Sequence, residues 1–450
     1  MLGIGTEGPV GHGQVGHGQV GHGQVEASSQ GLPPEGEPRR DRGTDRLPPA
    51  RAMDPDERDA WAVLATVEGL GPAAFAILLA HHGSARQVLD VARSANGQQR
   101  LADTPPIDGI RAPRGAFLPI SEAVAEEIVQ VVAGREAIVR RIADLGIRVV
   151  TLDDPEYPVR LTGIHLPPAV LFVRGSVSAL ARSRACAVVG TRHPTGAGRV
   201  TAARISAGLV AANATVVSGL ALGIDGAAHE ATIREGGVTV AVLGSGLGAI
   251  APAVHRRLAE AIITAGGAVV SELGTDVQPS RGTFPRRNRL ISGLSDATVV
   301  VEAPARSGAL LTAAWAMDQG RGCFIVPGAI DAPSSAGCLS FLREFHDAAR
   351  VVTGVAQLIA DLGYADEDGD RPAPVQASLR LLGTTEARVA DAVLRGQVTV
   401  DELVAVTGLP VATVLATLTL LERQGLIVGA YGRYRPAGAL LDAPRVPPRR

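Results

Sequence analysis

The chain has 450 residues, and single hydrophobic cores rarely grow past ~250–300 residues, so we expect more than one domain. Its hydrophobic content of 46%, charged content of 20% and net charge of −2 are typical of a soluble globular protein and exclude whole-chain attraction to a polyanion, so any nucleic-acid site must be local. The three cysteines, Cys186, Cys323 and Cys338, are too far apart for a zinc site or a disulfide framework, and no long apolar run or signal-peptide pattern is present, so we expect a cytoplasmic protein without a membrane span.

Residues 1–52 are low in complexity. Gly-His-Gly-Gln-Val occurs three times within residues 11–25, and Gly-, Pro- and Arg-rich sequence follows. Such a composition has too little apolar surface to offset the entropy of ordering it, which predicts a disordered tail. The repeated histidines could bind a metal weakly, but we favour a tail without one. Met53 opens an acidic helix start and is a candidate translation start.

Residues 53–150 are predicted to form a helical N-terminal domain. Trp61, Leu64 and Val67 recur at helical spacing, and Ser121 can cap a later helix. A glycine turn near residue 70 resembles a helix-hairpin-helix, or SAM-like, arrangement whose backbone N–H groups can hold a phosphate. An ordinary helical bundle is equally consistent with this pattern.

Residues 151–354 alternate short apolar strands with helix-length segments. This alternation predicts an α/β core with a doubly wound, mostly parallel sheet covered on both faces, an extended Rossmann-like fold. Ligands of such sheets bind beyond the carboxyl ends of the strands, where the glycine turns of this chain lie. The predicted strands are 186–189, 215–217, 238–243, 268–271, 298–301 and 323–326, and the predicted helices are 195–212, 224–236, 253–265, 284–294 and 308–319.

The last part of the chain is predicted to contain a linker over residues 355–383, a winged-helix-like domain over 384–436 and a disordered tail over 437–450. Three helical segments followed by two short strands are the order of a winged helix-turn-helix. The third helix has no basic or amide side chain in its first turns, and a recognition helix reads bases with such side chains. We therefore favour a protein contact or a packing role over the reading of a duplex.

The turn after the first core strand is Gly190-Thr191-Arg192. Backbone N–H groups at the helix start that follows attract phosphate, and Arg192 adds a bidentate donor. A dinucleotide site would need Gly-x-Gly-x-x-Gly here and an acidic residue after the next strand, and the sequence has neither. We therefore expect no NAD and no other cofactor.

The segment 281–289 places four arginines around one phenylalanine. Arginines for phosphates and a ring for a base are the combination that binds single-stranded nucleic acid. Consecutive residues of a helix point in different directions, so we expect about half of these side chains to face a ligand and the others to hold the fold. The candidate DNA-binding residues of this segment are Arg281, Phe284, Arg286, Arg287, Asn288 and Arg289.

Other glycine turns contribute to the predicted site. Asp225 and His229 share a helix face and could form an acid–base pair, but we favour a role for Asp225 in bracing the adjacent turn. Glu302 ends an apolar strand beside another anion-binding corner and is grouped with these two as a structural or pocket residue. No serine or cysteine nucleophile has a partnered base, so we expect no catalytic residue, no metal and no enzyme activity. The candidate DNA-binding residues of these turns are Ser218, Gly219, Gly223, Gly244, Ser307 and Gly308.

Taken together, these motifs resemble the DNA-processing protein A family, also called DprA or Smf. The resemblance implies a core that binds and protects incoming single-stranded DNA, dimerises, and loads the recombinase RecA during natural transformation of competent cells. It also implies phosphate binding by Arg192 and Arg281 and a base contact by Phe284. The motifs that carry it are Tyr157-Pro158, Val188-Val189-Gly190-Thr191-Arg192, Ser218-Gly219-Leu220-Ala221-Leu222-Gly223-Ile224-Asp225, His229, Ala241-Val242-Leu243-Gly244, Phe284-Pro285-Arg286-Arg287-Asn288-Arg289, Val301-Glu302-Ala303, Ser307-Gly308-Ala309-Leu310 and Val326-Pro327-Gly328.

The chain departs from the family pattern after Gly328, where Gly337-Cys338-Leu339 and Phe345-His346 replace a segment that usually contains glycine and asparagine. The rival hypothesis is an enzyme, a nucleoside-monophosphate phosphoribohydrolase on a related glycine-rich fold. The Pro-Gly-Gly-x-Gly-Thr loop of such enzymes is absent, although Glu302 lies near the corresponding corner. A nucleotide-sensing module without catalysis is a third hypothesis.

Overall fold

The part of the chain that the computed structural model describes begins at Met53 and has internal gaps. The predicted tail 1–52, the DNA-binding candidate Arg281, and most of the predicted linker 355–383 and tail 437–450 lie outside it. The described residues are 53–106, 120–280, 282–365, 383–397, 399–423, 426–430, 433–436 and 440.

One nine-stranded sheet forms the centre of the described chain. Its strands are β1 Arg148–Thr151, β2 Val170–Gly175, β3 Ala185–Val189, β4 Thr215–Ser218, β5 Thr239–Val242, β6 Ala268–Ser271, β7 Ala297–Val300, β8 Gly322–Ile325 and β9 Ala349–Val351. They lie in the order β1-β2-β6-β5-β4-β3-β7-β8-β9. The strands from β3 to β9 are mutually parallel, with Val188 opposite Val299, for example, whereas β1 pairs with β2, and β2 with β6, in antiparallel directions. The predicted mostly parallel α/β sheet is therefore confirmed.

Helices cover both faces of this sheet because both faces of its strands are apolar. Cys186 and Val188 of β3 belong to one buried cluster, and the alternating Ala187 and Val189 belong to another. The helices of the core are α7 Val159–Thr162, α8 Gly196–Ala211, α9 Ile224–Arg234, α10 Arg256–Thr264, α11 Thr283–Gly293, α12 Gly308–Asp318, α13 Ala336–Glu344 and α14 Val355–Asp361. α8, α9 and α14 contribute to the first cluster, while α10, α11 and α12 contribute to the second.

The N-terminal helices form a bundle that continues the second cluster. The rings of Trp61 and Phe75 lie 5.1 Å apart in its centre. The Glu57 carboxylate accepts hydrogen bonds from the Trp61 indole at 3.0 Å and from the backbone N–H of Ala85 at 2.7 Å, which ties the first helix to the start of the third. These helices are α1 Pro55–Ala65, α2 Pro72–His82, α3 Ala85–Arg93, α4 Gly97–Ala102, α5 Glu122–Ala133 and α6 Arg135–Asp144.

The C-terminal elements have the predicted winged-helix order. α15 Thr384–Leu394, α16 Val400–Thr407 and α17 Val411–Arg423 are followed by the antiparallel hairpin of β10 Ile427–Ala430 and β11 Arg433–Pro436. The helices pack on one another through their own apolar cluster.

The hairpin of this domain is docked on the core. Arg433 makes an ion pair with Asp153 at 2.7 Å. Buried Arg435 donates to the carbonyl of Asp154 at 2.9 Å and lies over the Tyr157 ring, 5.7 Å from its centroid. Both arginines of the hairpin are thus engaged by the core. The third helix, α17, exposes Val411 at its start.

No single helix of the described ranges is both long and apolar enough to cross a bilayer. The bent pair α16 and α17 meets the criterion by length and composition alone, across a bend of 112°.

Candidate nucleic-acid interface

The candidate site lies where the direction of strand succession reverses. The chain runs outward from β3 to β4, β5 and β6, and then returns to place β7 on the other side of β3. The carboxyl ends of β3 and β7 therefore flank the crevice in which open α/β sheets bind ligands. The turns that follow β3 and β7 carry the predicted Gly190 and Gly308, whereas Gly219, Gly223 and Gly244 lie in the turns after β4 and β5.

Exposed Arg192 and half-buried Phe284 form a pair at this edge. The Arg192 guanidinium lies over the half-buried Phe284 ring, 5.2 Å from its centroid. A cation in this position contributes ~0.5–1 kcal/mol at an exposed site. The ring also packs on Gly244, where an added Cβ would lie 3.0 Å from Phe284 Cδ1, so glycine leaves room for the ring. The fold thus presents a guanidinium and an aromatic ring together to solvent.

The neighbouring surface adds polar groups. Arg286 is exposed on α11, one residue before buried Arg287. Asn288 donates a hydrogen bond to the carbonyl of Gly308 at 3.2 Å, and so joins α11 to the start of α12. Ser307 caps that helix by accepting the N–H of Ala309 at 3.3 Å. The predicted Ser307-Gly308 corner is therefore open to solvent and held beside the arginine-bearing helix.

Arg287 is buried rather than exposed. Its Nη1 donates to the carbonyl of Val242 at 2.9 Å, and the guanidinium lies so close to Gly219 that an added Cβ there would be 1.7 Å from it. Burial lowers the pKa of Arg287 to about 10, against the opposing attraction of Asp225. The structure thus gives Arg287 an internal bracing position, and not the surface position of a strand ligand.

Asp225 braces the turn after β4, as favoured from the sequence. Its carboxylate accepts hydrogen bonds from the backbone N–H groups of Gly219 at 3.1 Å and Ala221 at 3.4 Å. Burial raises the pKa of Asp225, and the nearby Arg287 opposes this shift. Gly223 has a φ of 86°, and its Cα approaches the carbonyl of Thr191 so closely that a Cβ would lie 2.3 Å from it. Only glycine fits this junction of two turns.

His229 is buried inside the fold, and its hydrogen-bond partner differs from those of Asp225. The Thr239 hydroxyl donates to the carbonyl of Val216 at 2.7 Å, so its oxygen accepts the Nδ1–H of His229 at 2.7 Å. Burial lowers the pKa of His229 to about 3. A fully buried, neutral imidazole held in this way is a structural group, which argues against the acid–base pair.

Two further candidates also have their side chains inside. The Ser218 hydroxyl is buried and donates to the carbonyl of Val188 at 2.7 Å. Arg289 makes an ion pair with Glu272, and each side chain is 8% exposed. Of the arginines described in this segment, Arg286 faces solvent while Arg287 and Arg289 hold the fold. The sequence could not assign these orientations individually.

The corner after β3 is occupied by Glu302. Its carboxylate accepts hydrogen bonds from the backbone N–H and the hydroxyl of Thr195, each at 3.1 Å. The Thr191 N–H donates to the carbonyl of Glu302 at 2.7 Å, which fixes the turn. Gly190 is required here because a Cβ would lie 2.5 Å from Ile224 Cγ1. We expected the helix start after this turn to attract a phosphate, but a carboxylate of the chain itself lies there.

Comparison with known proteins agrees with this architecture. Residues 148–363 match the family model of DNA recombination-mediator protein A, and residues 372–433 match that of the DprA winged helix domain. The chain is 39% identical over 332 residues to a putative DNA processing protein DprA of Mycobacterium tuberculosis, a match that covers 69% of this chain and 84% of that protein. It is 37% identical over 310 residues to protein Smf of Synechocystis, with 62% of this chain and 77% of that protein covered.

A solved structure has the same fold. DNA processing protein A from Streptococcus pneumoniae superposes with a TM-score of 0.54 and 29% sequence identity, over 69% of this chain and 99% of that one. The resemblance drawn from the motifs is therefore confirmed, as are the Rossmann-like core and the winged-helix domain. By sequence and by fold, this chain belongs to the DprA/Smf family.

Proposed function

We propose that this chain is a non-enzymatic single-stranded DNA-binding protein that acts in DNA processing in the cytoplasm. The observation that carries the proposal is the exposed Arg192 guanidinium stacked on Phe284 at the carboxyl edge of the sheet. A strand needs cations for its phosphates and flat groups for its bases, and this surface offers both within one contact. Arg286 extends the cationic surface, and the solvent-open start of α12 adds backbone N–H groups.

The stacking geometry specifies how a base would approach. The Arg192 guanidinium lies over the ring, and Gly244 lies against it. A base that stacks directly on Phe284 therefore displaces the guanidinium, which can then pair with a phosphate. Alternatively, the base stacks on the guanidinium plane, with the ring beneath it. Both modes involve Arg192, so its removal weakens binding in either case.

The test is a fluorescence anisotropy titration of a labelled single strand at several salt concentrations. Wild-type affinity is expected to fall with salt because phosphate contacts release counterions. Arg192→Ala should weaken binding and flatten the slope of log K against log salt by roughly one unit or less, since one contact is lost. Arg140→Ala, which removes an exposed arginine from α6, is the matched control for overall charge and should leave the slope unchanged. An unchanged slope and affinity in Arg192→Ala would refute the proposal.

We further propose, as the family membership suggests, that the protein acts as a homodimer that hands the strand to the recombinase RecA in natural transformation. A light-scattering mass with and without single-stranded DNA tests the dimer. Faster RecA filament assembly on a strand coated with single-stranded-DNA-binding protein tests the transfer. Incubation with nucleoside monophosphates tests the enzymatic rival, and release of free base there would contradict the non-enzymatic assignment.

A further inference from the structure

The glycine turns after β3 and β4 are both filled from within the protein by carboxylates. Asp225 accepts two backbone N–H groups of the 219–223 turn, and Glu302 accepts the backbone N–H and the hydroxyl of Thr195, the N-cap of α8. Both carboxylates are buried, with Asp225 6% and Glu302 5% exposed. In related open α/β sheets these are the positions at which backbone N–H groups receive a ligand's phosphate.

The Glu302 carboxylate is in close contact with the first turn of α8, and its hydrogen bonds there are formed within the chain. Thr195 is the N-cap of this helix, and its hydroxyl accepts the N–H of Gly198 at 3.0 Å while it donates to Glu302. The carboxylate lies directly against Gly198, because a Cβ added there would be 1.8 Å from Glu302 Oε2. No space for a phosphate remains between the carboxylate and the first turn of the helix.

The charge of the Glu302 carboxylate and its close contact both disfavour a phosphate at the N-terminus of α8. A carboxylate at a helix N-terminus is stabilised by the helix dipole, as a phosphate would be. The carboxylate takes up the N–H and the hydroxyl of Thr195 and repels a second anion at this position. Arg192 is exposed on the turn after β3 and lies over the Phe284 ring of α11, so an extended strand can reach this pair without entering the corner.

We propose that Glu302 is a specificity-determining residue, whose carboxylate takes the place of a phosphate at the N-terminus of α8 and thereby excludes free nucleotides from that position. This exclusion goes beyond strand binding and does not depend on it. It explains how a sheet of the nucleotide-binding type can bind a DNA strand in a cell rich in mononucleotides, because the Glu302 carboxylate repels the phosphate of a competing free nucleotide.

The test removes the carboxylate and measures phosphate binding directly. Glu302→Ala and the isosteric Glu302→Gln are titrated by calorimetry with inorganic phosphate and with adenosine monophosphate, beside the wild type. We expect the alanine variant to bind phosphate about tenfold more tightly than the wild type, or better still, because a like charge in van der Waals contact has been removed. Glu230→Ala, which removes an exposed carboxylate from α9, is the matched control and should bind as weakly as the wild type.

Amide chemical shifts locate the binding. In Glu302→Ala, phosphate should shift the resonances of Thr195 to Gly198, whereas in the wild type it should not. Glu302→Gln removes the charge but keeps the volume of the side chain, so it should bind phosphate more weakly than Glu302→Ala. A folded Glu302→Ala variant that binds phosphate no better than the wild type would overturn the proposal, and so would a wild type whose α8 amides already respond to phosphate. If Glu302→Ala does not fold, Glu302→Ser, which also vacates the corner but keeps a hydroxyl, gives the same two readouts.

A second measurement tests the geometry alone. Gly198→Ala should lower the melting temperature of the wild type, because its methyl group displaces the carboxylate, and should lower it less in the Glu302→Ala background, where that side chain is absent. An equal loss in both backgrounds would show that Glu302 does not occupy the helix start. Strand titrations of the wild type are separate, so a failure of the proposed DNA-binding function leaves this result interpretable.

Discussion

Phe284 offers the sharpest test of the proposed interface, because two roles for its ring predict different phenotypes. The ring is half-buried, packs on Gly244 and carries the Arg192 guanidinium. Base stacking on an aromatic side chain contributes ~1–3 kcal/mol, which corresponds to a loss of affinity of roughly 5- to 150-fold in Phe284→Ala. A fully buried phenylalanine would instead cost ~3–5 kcal/mol of stability when replaced by alanine.

The half-buried position places the expected stability loss well below that range. Part of the ring's surface is already in water, and the lost cation–π contact accounts for only ~0.5–1 kcal/mol. We therefore expect Phe284→Ala to bind a single strand much more weakly while its melting temperature changes little. The preference among bases should be weak, since every base has a π-face.

A substitution series separates stacking from packing. Stacking predicts that Phe284→Trp retains most of the affinity and that Phe284→Leu loses nearly as much as alanine, because leucine has no ring. Packing predicts that leucine behaves like phenylalanine. Affinities from anisotropy and melting temperatures by circular dichroism are measured on the same samples. If Phe284→Ala melts early yet binds normally at low temperature, the ring belongs to the core and the interface is misplaced.

Three further predictions follow from the surrounding contacts. Arg286→Ala should weaken strand binding without changing the melting temperature. Arg287→Ala should lower the free energy of unfolding in denaturant by ~3–5 kcal/mol, because it leaves buried Asp225 without its nearby positive charge. Equal phenotypes in these two neighbours would contradict the assigned orientations. His229 should make the protein less stable as pH falls from about 6.5 towards about 3, because its imidazole takes up a proton in the unfolded chain but not in the fold, where burial lowers its pKa to about 3. The resulting loss in the free energy of unfolding is about 2 kcal/mol at pH 5. A His229→Gln variant should lack this part of the pH dependence of unfolding. Asp153→Ala should release the C-terminal hairpin from the core, because it removes the ion-pair partner of Arg433. Limited proteolysis should then cleave the chain faster between the core and the winged helix. An unchanged digestion pattern would show that Arg435 alone holds the hairpin.

Much of the fold could be predicted from the sequence because its signals are local. Apolar runs such as Val216–Val217 and Val299–Val300 lie next to glycine turns and helix-length segments, and this alternation is enough to indicate a parallel sheet buried on both faces. The ends of those runs place the glycine turns at the carboxyl edge, so the general position of the site follows as well. The order of three helices and a hairpin likewise predicted the winged helix.

The tertiary structure decided which way each side chain faces and which strands meet. Nothing local distinguishes Arg286 from Arg287, yet one is exposed and the other lies beneath α11, because the rotation of that helix is set by its packing on the sheet. The antiparallel direction of β1 and β2 and the addition of β9 were not apparent from the sequence, since strand pairing joins segments far apart in the chain. For the same reason the sequence could not show that Glu302 contacts Thr195, 107 positions away. Its carboxylate occupies the helix start at which we predicted a phosphate from the glycine turn.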